Sequence, residues 1–262
     1  MTSIPAFTTL GGGPTVLMLH GILGGHLAFA PQVETLASSG YRAVAWDMPG
    51  YGHSAPIEPY TFKGLAESCI HLIEALQCES VILVGHGMGG MVAQEVVARR
   101  PGLVNRLVLC GTTSAFGEPD AEWQREYVAR HMAPLEAGQS MATLAETEVP
   151  RRVGAGSLPE GVRLATHCMG MVPAATYRRA LECLVTFERT RSLSLIDVPT
   201  LLVAGEHDRN APPARMKEMA QAIARGSYHE MKGVGEWQNL EAPDDFDALL
   251  LNFLQLPQAL LH

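Results

Sequence analysis

Short apolar runs separated by longer stretches of helical spacing set the rhythm of the chain. The strand-like runs are Thr15–Leu19, Arg42–Trp46, Ser80–Val84, Arg106–Cys110, Thr200–Ala204 and Ser227–Met231. Helical spacing recurs between them at 29–38, 62–77, 89–100, 213–225 and 244–255. Parallel strands need a crossover long enough to hold a helix, so this alternation predicts a parallel sheet with helices on both faces.

One stretch breaks the rhythm. From Phe116 to Ser194 no strand is expected, and helical patterns fall near 120–132, 135–147, 159–170 and 174–190, punctuated by Pro134, Pro150, Pro159 and Pro173. This predicts a helical cap at 115–194 inserted into a core made of 1–114 and 195–262. The rival is a set of surface helices that cover nothing.

Composition narrows the partners. A 47% hydrophobic fraction is ample for one large core, and 18% charged residues are too few for a disordered chain. The formal net charge of −8, with no basic run beyond pairs such as Arg99–Arg100 and Arg178–Arg179, excludes nucleic acid as an expected partner. Five cysteines without CxxC spacing favour a reducing compartment over a disulfide framework. The first residues lack a basic segment followed by an apolar one, and no stretch reaches the roughly 18 apolar residues of a membrane span. A soluble cytoplasmic protein acting on a small molecule is expected; oligomeric state is not encoded in any motif.

Candidate chemistry centres on Gly85-His86-Gly87-Met88-Gly89-Gly90, which follows one predicted strand and opens a helix. Small residues around such a turn permit strained dihedrals and close approach of strand and helix. The stretch resembles the nucleophile elbow of the α/β-hydrolase family, commonly Gly-His-Ser-Met-Gly-Gly. Three further segments are similar to that family: His20-Gly21 after a strand, Asp47-Met48-Pro49-Gly50-Tyr51-Gly52-His53-Ser54, and Gly205-Glu206-His207-Asp208 at the position of the triad acid. The resemblance spans about 14–255 and implies an α/β-hydrolase fold, a mostly parallel central sheet flanked by helices with an inserted helical cap.

Two residues depart from the family pattern. Gly87 stands where the family carries Ser, Cys or Asp. In Gly235-Glu236-Trp237-Gln238-Asn239-Leu240-Glu241-Ala242-Pro243, Glu236 stands where the resemblance places the catalytic histidine; Asp208 is retained. Glycine has no side-chain atom to acylate, so a serine mechanism is excluded at this position. An oxyanion hole is built from backbone N–H groups, so it survives; the resemblance assigns it to Met88 and to Ile22 or Leu23. Two carboxylates in one poorly hydrated site cannot both ionise cheaply, so Glu236 beside Asp208 predicts one raised pKa and a group fit for proton transfer. The plain alternative is that Glu236 faces solvent or pairs with a cap arginine.

The expected function is cofactor-independent proton transfer on a small, largely apolar carbonyl compound, of lyase, isomerase or cyclase type. In this reading Glu236 is the acid/base, Asp208 its partner, Met88 and Ile22 the oxyanion donors, and His20, Leu23, His86 and Trp237 pocket residues, although the resemblance favours packed, hydrogen-bonded structural roles for His86 and His20. Two alternatives remain: hydrolysis by carboxylate-activated water, and a non-catalytic binding protein. A third is an ordinary hydrolase inactivated at two residues. Gly85-x-Gly87-x-x-Gly90 also fits a dinucleotide fingerprint, but the next strand ends in Cys110-Gly111-Thr112 with no acidic residue for a ribose. His207 with Asp208 and Glu236 matches no metal-ligand spacing, so no metal is expected. Met132, Met141, Met169 and Met171 are candidates for an adaptable pocket wall or for ordinary core.

Overall fold

The computed structural model describes residues 4–257. In chain order its elements are β1 (Phe7–Leu10), β2 (Thr15–Leu19), α1 (Ala30–Ser38), β3 (Arg42–Trp46), α2 (Phe62–Ala75), β4 (Val81–His86), α3 (Met88–Arg99) and β5 (Val104–Cys110). There follow α4 (Ala121–Glu136), α5 (Met141–Glu148), α6 (Pro159–Gly170) and α7 (Ala174–Leu184), then β6 (Thr200–Gly205), α8 (Pro213–Ala222), β7 (Gly226–Met231), α9 (Gln238–Glu241) and α10 (Pro243–Gln255).

Among the described residues, seven strands form one sheet in the order β1-β3-β2-β4-β5-β6-β7. All neighbours run parallel except β1, which pairs antiparallel with β3. The central strands are apolar on both faces because helices cover both. Leu17, Leu19, Val44 and Leu83 pack into one core cluster, while Val16, Met18, Ala43 and Val84 face the other.

The structure departs from the sequence expectations at particular places. β1 was not expected: Phe-Thr-Thr-Leu carries no apolar run, and all four residues are exposed on an edge. Pro134 does not end a helix but lies inside α4, two residues from its C-terminus, where a missing N–H costs a single hydrogen bond. α5 therefore starts at Met141, capped by Ser140, rather than near 135, and α7 stops at Leu184 instead of 190. Met132, Met141 and Met169 are buried in the core, whereas Met171 is exposed.

Candidate active site

The turn from β4 into α3 is built around Gly87, with φ 53° and ψ −120°. Its N–H donates to Cys110 O at 3.0 Å, and its carbonyl accepts from the Thr112 hydroxyl at 2.7 Å. Both supports come from the neighbouring strand's end, so the turn is pinned from the side. A Cβ placed on Gly87 would meet only Gly21 Cα at 3.5 Å and Gly111 O at 3.9 Å. The position thus has room for a side chain, and only its left-handed backbone opposes one. Met88 opens α3, so its N–H has no carbonyl one turn earlier in the helix to bond.

Gly87, Met88, Ile22, Leu23 and Glu236 line one cavity of about 50 Å³. Much of its remaining wall is apolar or aromatic, including Met91, Phe116, Tyr127, Tyr177, Leu181 and Leu184; Arg152, His131 and Asn210 add polar groups. Most of the aromatic surface comes from α4, α7 and the segment before α4, which run between β5 and β6.

Both hydrogen bonds of the Glu236 carboxylate go to Oε2: Asn210 donates at 2.8 Å and Arg152 at 3.4 Å. Oε1 has none among the described residues. Arg152 also donates to Glu148 at 3.0 Å. Burial works against the guanidinium charge, but Glu236 and Glu148 outweigh it and hold the group still more firmly protonated. The backbone is fixed as well. Glu236 N–H donates to Arg152 O at 3.1 Å, and Gly235 is packed so closely that an added Cβ would lie 2.1 Å from that same carbonyl.

Asp208 sits behind this layer and does not line the cavity. Its Oδ1 accepts from the N–H groups of Asn210 and Ala211 at 2.8 and 2.9 Å, while buried Oδ2 has no partner. Burial first, and the Glu236 charge second, push its carboxyl up to about 6. The two carboxylates do not bond to each other; Asn210 links them, by backbone N–H to Asp208 and by side-chain amide to Glu236.

Of the residues offered as pocket candidates, His20 and His86 make backbone hydrogen bonds, as their sequence context favours, and Trp237 is buried as well. His20 is fully buried; its Nε2 accepts from Met48 N–H at 2.9 Å, so Nδ1 carries the proton donated to Gly21 O at 2.8 Å. That tautomer must be neutral, and burial lowers its pKa to about 4. His86 donates from Nε2 to Glu236 O at 2.7 Å, which positions Glu236 by its backbone. Trp237 is buried, and its N–H donates to Glu241 Oε1 at 2.8 Å. Glu241 is fully buried, and its Oε2 accepts from Gly154 N, Gly235 N and the Ser157 hydroxyl at 2.8, 2.6 and 2.6 Å. One carboxylate therefore fastens the 154–157 segment to the loop that carries Glu236.

Sequence reasoning offered a cap arginine as an alternative partner of Glu236, which Arg152 is, without singling Arg152 out, and it missed Asn210 and His131. The signal for His131 was present, since Tyr127 precedes it by one helical turn and the pair shares a helix face.

The sequence profile of the α/β hydrolase fold matches residues 14–243. The chain belongs to the α/β hydrolase fold family. Within that family it is 28% identical over 258 residues to serine hydrolase BPHL of Mus musculus, covering 93% of this chain and 80% of the relative. It is also 28% identical over 303 residues to an epoxide hydrolase of Caballeronia sordidicola, covering 97% and 91% of the two chains. Among solved α/β hydrolase structures, it is similar to a thermophilic esterase from Thermogutta terrifontis (TM-score 0.85, 25% identity, covering 95% and 92%). The enol-lactonase from Burkholderia xenovorans LB400 is similarly related (TM-score 0.84, 26% identity, 96% of both chains). Among the described residues no helix is long and apolar enough to cross a membrane.

Proposed function

We propose that this chain is a cytoplasmic hydrolase that attacks a small, largely apolar carbonyl substrate with water, without an acyl-enzyme and without a cofactor. The observation that carries this reading is the shared cavity. Gly87 offers space but no nucleophile, and it shares the cavity with Glu236, whose Oε1 has no hydrogen bond among the described residues; in this reading the backbone N–H groups of Met88 and Ile22 are the oxyanion donors. A water held near Gly87 donates a hydrogen bond to Oε1 and attacks the carbonyl carbon. Asp208, with one oxygen unpartnered, sets the local field and keeps Asn210 in place against Glu236. The helices α4–α7 act as a cap whose aromatic and leucine side chains select apolar substrates.

The triad of the family is in this reading degenerate, with Gly87 in the nucleophile position and Glu236 in the histidine position. The relatives are named as hydrolases, an esterase and a lactonase, which favours hydrolysis over lyase or isomerase chemistry. A second reading, small-molecule binding without turnover, draws on the Arg152 contact that occupies Glu236 Oε2.

Esters and lactones incubated with wild type and Glu236→Gln in heavy-oxygen water separate these readings. Water attack predicts label in the acid product, activity that falls sharply in Glu236→Gln, and no covalent labelling by a fluorophosphonate. Product formed without label would overturn hydrolysis in favour of elimination or isomerisation. Binding with no product would favour the second reading.

A further inference from the structure

We infer that His131, contributed by α4, is the proton-transfer residue of this site: its Nε2 takes the proton of the attacking water and returns it to the leaving group. The inference rests on the hydrolytic reading above and adds to it the group that moves the proton. Glu236 Oε2 is already engaged by Arg152 and Asn210, which leaves the carboxylate one open oxygen with which to orient the water. The cavity contains one other candidate base among the described residues.

His131 lines the same cavity as Gly87, Met88 and Glu236. Its Nδ1 lies 2.7 Å from Tyr127 O, and a carbonyl can only accept, so Nδ1 carries the proton. Nε2 is then the unprotonated nitrogen, and it has no hydrogen bond among the described residues. The ring is also held in orientation. It lies over Tyr127 with centroids 4.1 Å apart at 30°, and Tyr127 stacks in turn on Trp123 at 5.1 Å. A fixed tautomer, a fixed ring and a free Nε2 are what a histidine base requires, here supplied from a helix between β5 and β6 rather than from the loop before α9.

The surroundings keep the ring neutral. Burial is the largest influence lowering its pKa; Arg152 and Arg130 act in the same direction, while Tyr127 O and Glu148 oppose them. Glu236 is the carboxylic acid among the residues lining the cavity.

The step balances as follows. The water oxygen bonds to the carbonyl carbon, the π pair moves onto the carbonyl oxygen against the Met88 and Ile22 N–H groups, and the water proton passes to Nε2. As the oxyanion collapses, the bond to the leaving group breaks and Nε2 returns the proton to that group. One water is consumed, and His131 ends as it began.

The test compares wild type, His131→Asn, His131→Ala and Asp208→Asn on ethyl acetate and p-nitrophenyl acetate. Asn keeps an amide donor for Tyr127 O while removing the titrating nitrogen, so a thermal melt close to wild type establishes that the variant folds. We expect kcat on ethyl acetate to fall about 10²–10⁴-fold in His131→Asn, the usual range for a lost acid–base group. The loss should be smaller on p-nitrophenyl acetate, whose leaving group needs no proton. Added imidazole should restore part of the activity of His131→Ala. The wild-type pH profile should show an acid limb with a midpoint below 6.5, the ordinary histidine value. The limb should vanish in His131→Asn and persist in Asp208→Asn, whose carboxyl otherwise titrates nearby. An active wild type whose rate and acid limb survive in His131→Asn would overturn this inference alone. A wild type inert toward every ester would overturn it together with the hydrolytic reading.

Discussion

Arg152 and Glu236 are joined twice, guanidinium to carboxylate at 3.4 Å and Glu236 N–H to the Arg152 carbonyl at 3.1 Å. The second bond does not depend on either side chain, so it sets where Glu236 sits before the ion pair forms. The ion pair then selects a rotamer in which Oε2 is occupied and Oε1 is left open. The two side chains are only 20% and 14% exposed, so water screens the pair weakly.

Arg152→Met removes the cation that serves both Glu148 and Glu236. Completely buried pairs lose about 3–5 kcal/mol when one partner is deleted. Residual exposure, and the Asn210 bond that remains, reduce this to about 1–3 kcal/mol. Urea denaturation at neutral pH measures it; a midpoint equal to that of wild type would show that the pair contributes orientation and no net stability.

The acidity of Asp208 has a defined sign. Its folded pKa of about 6 lies above the ordinary 3.8, so the native state holds a proton that the unfolded chain releases between those values. The contribution to stability is complete below about 3.8 and is lost as pH rises through 6, amounting to about 2–3 kcal/mol. His20, His86 and His131, all lowered by burial, act in the opposite direction over much of this range. The wild-type curve is therefore a partial cancellation. Asp208→Asn isolates the term: the stability of wild type minus variant should fall from about pH 4 to about pH 7. A flat difference would mean that Asp208 is ordinary.

Glu241→Ala should be among the most damaging single changes outside the cavity. It leaves the N–H groups of Gly154, Gly235 and Trp237 without their shared acceptor. A buried unpaired donor costs about 1–3 kcal/mol, and three together predict a loss of about 3–5 kcal/mol after local relaxation. Amide hydrogen exchange should localise the loosening to 152–157 and 233–237. Loosening elsewhere would show that Glu241 is not the fastening described.

The parts of this fold that sequence discloses are those where burial dictates residue type. β2 and β3 coincide with their expected ranges because both faces of each strand are covered and the apolar run ends where cover ends. β1 has no such pressure, since its residues are exposed and the pairing with β3 is carried by the backbone. In the site, Gly87, Asp208 and Glu236 stand out because their motifs are local in sequence. Arg152 does not, because it lies 84 residues from Glu236 and nothing in its own neighbourhood marks it. The difference between a histidine that packs and one that offers a free nitrogen is a matter of which ring nitrogens are bonded and where the ring sits. His20 has both ring nitrogens bonded, whereas His131 has only Nδ1 bonded and lines the cavity, which His86 does not.

The double variant Gly87→Ser, Glu236→His asks how much of a serine machinery the scaffold still supports. A serine Cβ at this turn meets no side chain or backbone closer than 3.5 Å, and its cost is the left-handed φ of 53°, about 1–3 kcal/mol. The introduced histidine would find Asp208 Oδ2 buried and unpartnered, open to accept a hydrogen bond from the ring N–H. Arg152 opposes this, because a guanidinium that now faces Glu236 would face a ring that must carry positive charge during catalysis. The double variant should therefore be labelled by a fluorophosphonate at the introduced serine, with a burst of p-nitrophenolate, faster than Gly87→Ser alone, whose serine has only His131 as a base; Glu236→His alone should not label. Adding Arg152→Met should speed the labelling by relieving that repulsion. Labelling of Gly87→Ser alone at the same rate would show that the base is already present elsewhere in the cavity, and His131 is the residue to test for it.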